Sequence, residues 1–154
     1  MKKPAKCYVI TGLVYLVVGL LCGVYYREFT KALGYVNAYT PLGLVHPHLL
    51  VLGMIINLLL GVLLTFFELD EKKEKIPFII YNTGVSLTGI MLLIRGTFDV
   101  LVKTDNGMLS STGSTIISVF SGLGHIVLAV GLIYYFVLII KSYKDHKAEK
   151  VQVQ

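Results

Sequence analysis

LVHPHLLVLGMIINLLLGVLLTFF, residues 44–67, decides the fold: it contains no Asp, Glu, Lys or Arg along its whole length. At about 1.5 Å of rise per residue, a helix of that length crosses the roughly 30 Å hydrocarbon layer of a bilayer. A helix is required because lipid offers no partners to exposed backbone N–H and C=O groups. Three more apolar runs of similar length, about 8–26, 76–94 and 115–140, make four predicted spans. The expected fold is therefore all-α: an integral-membrane four-helix bundle forming one domain over 1–154, with 141–154 as a tail.

Composition agrees with this reading. Of 154 residues, 55% are hydrophobic and only 15% are charged, a balance too apolar for an ordinary soluble domain. Pro41 and Pro47 mark the entry to helix two. Pro77 is expected in the first turn of helix three, where a missing N–H does little harm. The longest connection is read from Arg95 to Ser114, with a turn at Asn106-Gly107. No internal repeat is evident.

The net charge of +5 would suggest an anionic partner in a soluble protein, but here the basic residues flank apolar runs. Lys2, Lys3 and Lys6, then Lys72, Lys73 and Lys75, then Lys141, Lys144, Lys147 and Lys150 fall on one side of the predicted bundle. The other side holds only Arg27, Lys31, Arg95 and Lys103. The positive-inside rule then puts both termini in the cytoplasm. No Gly-rich phosphate loop or basic helical stripe occurs, so nucleic acid is set aside as a partner. The charged connection from Glu68 to Lys75 reads as a solvated turn, and the tail as a frayed, surface-attracted end.

Cys7 and Cys22 have no metal-binding or disulfide spacing and read as small apolar fillers. The lysines before the first apolar run imitate a signal peptide, but no small-x-small cleavage pattern follows, so the segment is read as helix one.

Helix one carries Gly12, Gly19 and Gly23, a small-residue seam that lets backbones approach closely in lipid. At 100° per residue, His46, Gly53, Asn57 and Gly61 share one face of helix two, and His48 lies about 200° from His46. A regular helix cannot aim both at one ligand, and the geometry favours His46 as the inward residue. On helix four, Ser118, Gly122, His125 and Ala129 form a small face around another histidine. His46, His48 and His125 all fall in the same half of the membrane. Imidazole inside an apolar span is expensive and commonly functional, and it is a ligand for haem iron, copper and zinc. Each histidine is weighed against an ordinary interhelical hydrogen bond, and His146 in the tail is set aside.

Arg95, at the predicted end of helix three, would pair with Asp99 or clamp a carboxylate. Arg27, closing helix one beside Glu28, would do the same or simply anchor the helix at the interface. Asn57 and Asn82 read as interhelical hydrogen-bond partners. No Ser–His–Asp order, paired-carboxylate site or HExxH spacing supports hydrolysis, and no catalytic residue is assigned.

Taken together, Tyr26-Arg27-Glu28-Phe29-Thr30-Lys31, His46-Pro47-His48-Leu49-Leu50-Val51-Leu52-Gly53, Arg95-Gly96 and Gly122-Leu123-Gly124-His125 resemble a family of small four-helix bacterial membrane proteins. That family is found largely in Gram-positive organisms and has no established activity to transfer. It implies a multi-pass protein of the bacterial cytoplasmic membrane. The helix-two pattern is also similar to the haem-binding helices of haem–copper oxidase subunit I, although Pro47 departs from it in the middle of His-x-His. Since that subunit holds three four-helix arcs, the resemblance implies a homo-oligomer, a trimer by analogy.

The expectation is thus a b-type haem protein. His125 and either His46 or His48 would bind iron, and Arg27 or Arg95 would hold the propionates. Electron transfer, haem handling or gas sensing would follow, with a redox partner that the sequence does not name. The alternatives are a copper or zinc site built from His46, His48 and His125, and a non-catalytic membrane scaffold.

Overall fold

The computed structural model describes residues 3–36, 38–67 and 71–152. These form four long helical spans, α1 Lys3–Ala32, α2 Pro41–Phe66, α3 Glu71–Lys103 and α4 Ser111–Gln152. All four are long and apolar enough to cross a membrane. Large side chains such as Leu13, Val17, Leu21, Val62, Ile126 and Ile133 are exposed along them. An outer surface this apolar matches hydrocarbon and would be costly in water.

The helices outrun the sequence-based boundaries at most ends. α1 continues past Tyr26 to Ala32 and ends in a Schellman motif. Gly34 takes a left-handed φ of 66°, Tyr35 N–H bonds the Thr30 carbonyl at 2.8 Å, and Gly34 N–H bonds the Lys31 carbonyl at 3.2 Å. α3 stops the same way around Asp105, at φ 55°, with Asn106 N–H on the Leu101 carbonyl at 2.9 Å. Arg95 therefore sits two turns inside α3, and the connection to α4 spans only 104–110. α3 also begins at Glu71, which puts Pro77 inside the helix. Its missing N–H leaves the Lys73 carbonyl without the usual donor. Of the predicted charged connection, residues 68–70 lie outside the described residues. The helix of α4 runs on through Gln152, where a frayed tail is expected from sequence.

α2 is not one regular helix. A 3-10 turn at Pro41–Leu44 is capped by Thr40, and an α-helical turn at Val45–His48 follows. A π-helix then runs over Leu49–Ile55 before α-helix resumes at Ile56–Phe66. In the π segment Ile56 N–H reaches back five residues to the Val51 carbonyl. Returning from that pattern to four-residue bonding skips one carbonyl, that of Leu52. Tyr81 on α3 donates its hydroxyl to the Leu52 carbonyl at 2.7 Å. Asn57 caps the same irregularity, donating to the Gly53 carbonyl at 2.6 Å and to Asn82 Oδ1 at 3.0 Å.

Packing rests on glycines at points of close approach. On α1, Gly12 faces Leu58, Gly19 faces Leu49 and Leu50, and Gly23 faces His46, so the helix-one seam lies against α2. Between α3 and α4, Gly84 meets Leu128, Gly124 meets Thr88, and Gly131 meets Tyr81, so close that a methyl at any of them would overlap its neighbour. Gly96 meets Leu42 in the same way. α1, α2 and α3 form a three-sided cluster, and α4 packs chiefly on α3. On α3, Ser86 meets α1 while Thr88 meets α4. These positions are about 160° apart round the helix, so α1 and α4 lie on opposite flanks of α3, with α2 above it.

Candidate functional site

His46, His48 and His125 do not share one environment. His46 packs beside Gly23 of α1. His48 lies in the same α-helical turn, so the expected 200° offset holds and its ring points away from α1. Val45 and Leu49 occupy the buried face between them, with Leu49 against Gly89 of α3. Since α1 and α4 flank α3 on opposite sides, the His48 side of α2 is the side turned toward α4.

His125 is exposed on α4, as are Ser118, Gly122 and Ala129. The small face around the histidine is thus an open one. The seam buried against α3 is instead the one through Gly124 and Gly131, one residue position round the helix. Small residues recur every seven positions in both stripes, so spacing alone does not choose between them. His125 shares its flank with Ser118 and Leu132, seven residues away in either direction. Leu132 packs against the core. Nearby, the hydroxyl of Tyr135 meets that of Tyr8, which itself packs on Gly61 of α2. That flank of α4 therefore faces α2. His48 and His125 therefore lie on flanks of α2 and α4 that are turned toward each other across α3. Toward the chain termini α4 is tied to α1 by the Tyr8–Tyr135 pair and to the end of α2 by Ser142 donating to the Phe67 carbonyl at 2.8 Å.

The two rings are held in the same way. His48 Nδ1 lies 2.7 Å from the Leu44 carbonyl and His125 Nδ1 lies 2.8 Å from the Ser121 carbonyl. A carbonyl only accepts, so each Nδ1 carries a proton, and in the neutral ring it is Nε2 that keeps the lone pair. Neither Nε2 has a hydrogen-bond partner among the described residues. This is how a metal-binding histidine is commonly oriented, with one nitrogen tied to a backbone carbonyl and the other presented to the metal.

Arg95 does not pair with Asp99. Its Nη1 donates to Ser114 Oγ at 3.3 Å and Ser118 Oγ at 3.1 Å, while Asp99 takes Lys103 at 3.0 Å. The guanidinium therefore lies on the His125 flank of α4, about 10 Å from His125 along the axis. Arg27 stands on α1, mostly exposed, 3.6 Å from Glu28. The hydrogen bonds between Asn57 and Asn82 join α2 to α3, as expected.

Among the described residues no group of three or more His, Cys, Asp or Glu side chains comes together. A copper or zinc ion held by all three histidines therefore has no preformed site within one chain. Both cysteines are free.

The family model for proteins of unknown function designated DUF2871 matches residues 5–142. The chain belongs to that family. No curated protein and no solved structure matches it. Membership accounts for nearly the whole four-helix chain and brings no activity with it.

Proposed function

We propose that this DUF2871 protein is a multi-pass membrane protein that binds b-type haem between α2 and α4, where His48 and His125 would hold its iron. The observation that carries this reading is the matched pair of Nδ1–carbonyl bonds, which leaves the Nε2 atoms of both rings without a partner among the described residues, on helix flanks turned toward each other across α3. A neutral imidazole with its Nδ1 proton so engaged is a good donor to iron. His46, packed on α1, is left out of the ligand set. Arg95 is the propionate partner, since its guanidinium lies on the His125 flank of α4 and its present acceptors are neutral hydroxyls and a carbonyl, which a carboxylate outcompetes. Arg27, on the far side of α3 and already beside Glu28, is not.

When bound, haem would supply a one-electron centre, held by both histidines. Electron transfer is accordingly favoured over oxygen chemistry or gas sensing. The lysine distribution supports a cytoplasmic location for both termini, which would put His48 and His125 in the outer half of the membrane.

The test is the absorbance of protein purified in detergent, with haem quantified per chain. A Soret band that shifts on dithionite reduction, at about one haem per chain, is the expected result. A colourless preparation with stoichiometric copper or zinc would replace the haem reading with the metal one. Protein that is free of every such group, even when expressed with haem supplied, would leave the scaffold reading.

A further inference from the structure

A second feature lies on the opposite flank of α3 and owes nothing to the histidines. α1 and α3 stand apart over α2, and the gap is a groove of two adjoining cavities of about 470 and 450 Å³ that share Val18, Cys22 and Leu93. Along α1 it follows Thr11, Tyr15, Val18, Cys22 and Tyr25, a heptad-spaced stripe, and runs about 22 Å from Ile10 to Tyr25. No charged side chain lines either cavity.

The groove is not uniformly apolar. At the end nearer the N-terminus it holds three hydroxyls, of Thr11, Tyr15 and Ser86, beside the ring of Phe78. Tyr15 reaches the Asn82 carbonyl at 3.1 Å and Ser86 Oγ at 3.0 Å. Thr11 is partly buried and makes no hydrogen bond among the described residues. A hydroxyl without a partner inside a membrane span is costly, and a polar group in the groove would relieve it. The other cavity, ending at Phe98, is almost wholly apolar, with Thr97 already bonded to Tyr25 at 3.1 Å.

We infer that this groove binds an isoprenoid quinone or quinol, with the ring between Tyr15 and Phe78, a ring oxygen accepting from Thr11, a quinol hydroxyl donating to Ser86, whose own proton is engaged by Tyr15, and the tail along Val18, Cys22 and Leu93. Each part of the site selects one feature of that ligand class. The absence of cations disfavours the charged headgroup of a phospholipid or fatty acid. An acyl chain alone would leave Thr11 unsatisfied. The aromatic walls suit a flat ring, and the length of the groove suits a long hydrocarbon tail. The inference stands without haem, although a quinol is an electron donor of the class that a membrane haem protein would require.

The test uses the full-length protein in lipid nanodiscs with an azido-naphthoquinone carrying a farnesyl tail, followed by peptide mapping after photolysis. Labelling should fall on α1 around Thr11–Val18 and on α3 around Phe78–Ser86. Excess unlabelled menaquinone-type naphthoquinone should remove it, and excess phosphatidylglycerol should not. Thr11→Val with Ser86→Ala should weaken labelling by about tenfold while circular dichroism and thermal midpoint stay unchanged. Label scattered over the lipid-facing side of α1, competition by phosphatidylglycerol equal to that by quinone, or full labelling of the double variant would each overturn the inference. None of these results bears on haem content.

Discussion

Tyr81 donates to the carbonyl oxygen of Leu52 at 2.7 Å, across the interface of α2 and α3 and at the point where the π-helix gives way to α-helix. Tyr81 is wholly buried, so no water can take its place. Tyr81→Phe keeps the ring and removes only the donor. It should cost roughly 1–3 kcal/mol, the usual penalty for a buried acceptor left unpaired. Thermal unfolding in detergent checks this, and an unchanged midpoint would mean that the π segment finds another donor.

The two small stripes of α4 separate by substitution. A Cβ on Gly124 would lie 2.8 Å from Thr88 Oγ1 and 3.0 Å from Thr88 N, whereas one on Gly122 meets nothing within 4 Å. Gly124→Leu should therefore lower stability by several kcal/mol or prevent accumulation. Gly122→Leu should fold normally. Expression yield and gel-filtration profile distinguish the two, and equal behaviour would contradict the packing of α4 on α3.

Thr88 offers the opposite kind of change. Its hydroxyl is buried against Gly124 and is without a hydrogen-bond partner among the described residues. Thr88→Val replaces it with a methyl of the same shape, so stability should hold or rise by about 1 kcal/mol. A clear fall in thermal midpoint would show that the hydroxyl has a partner.

The four spans were legible because hydrocarbon imposes a length and a composition that the chain states openly. Their ends were not. Residues 71–75 are charged and read as a connection, yet Glu and Lys are good helix formers and extend α3; residues 95–103 are held helical by packing instead, with Gly96 against Leu42 and Val100 wholly buried. Gly34, four residues beyond the Thr30 carbonyl that the motif closes on, was the available signal for the true end of α1. The face of α2 through His46, Gly53 and Gly61 was legible, and it packs on α1, where Gly53 and Gly61 admit Tyr15 and Tyr8. The π-helix was not, since no periodicity at 100° per residue anticipates it. The hydroxyls of the α1–α3 groove escaped notice because Thr11 and Ser86 are unremarkable singly and are joined only by the fold.

The lysine asymmetry predicts where the ends lie. A green fluorescent protein fused after Gln154 should fluoresce, and alkaline phosphatase fused there should be inactive, because both require the C-terminus in the cytoplasm. Active phosphatase would invert the topology and put His48 and His125 in the inner half of the membrane.

The most direct test of the haem site is the reduced-minus-oxidised spectrum of three single variants, His46→Ala, His48→Ala and His125→Ala, compared at equal protein concentration. The account predicts that His48→Ala and His125→Ala lose the Soret difference while His46→Ala retains it. A His48→Ala protein with the full spectrum, beside a His46→Ala protein that has lost it, would contradict the account.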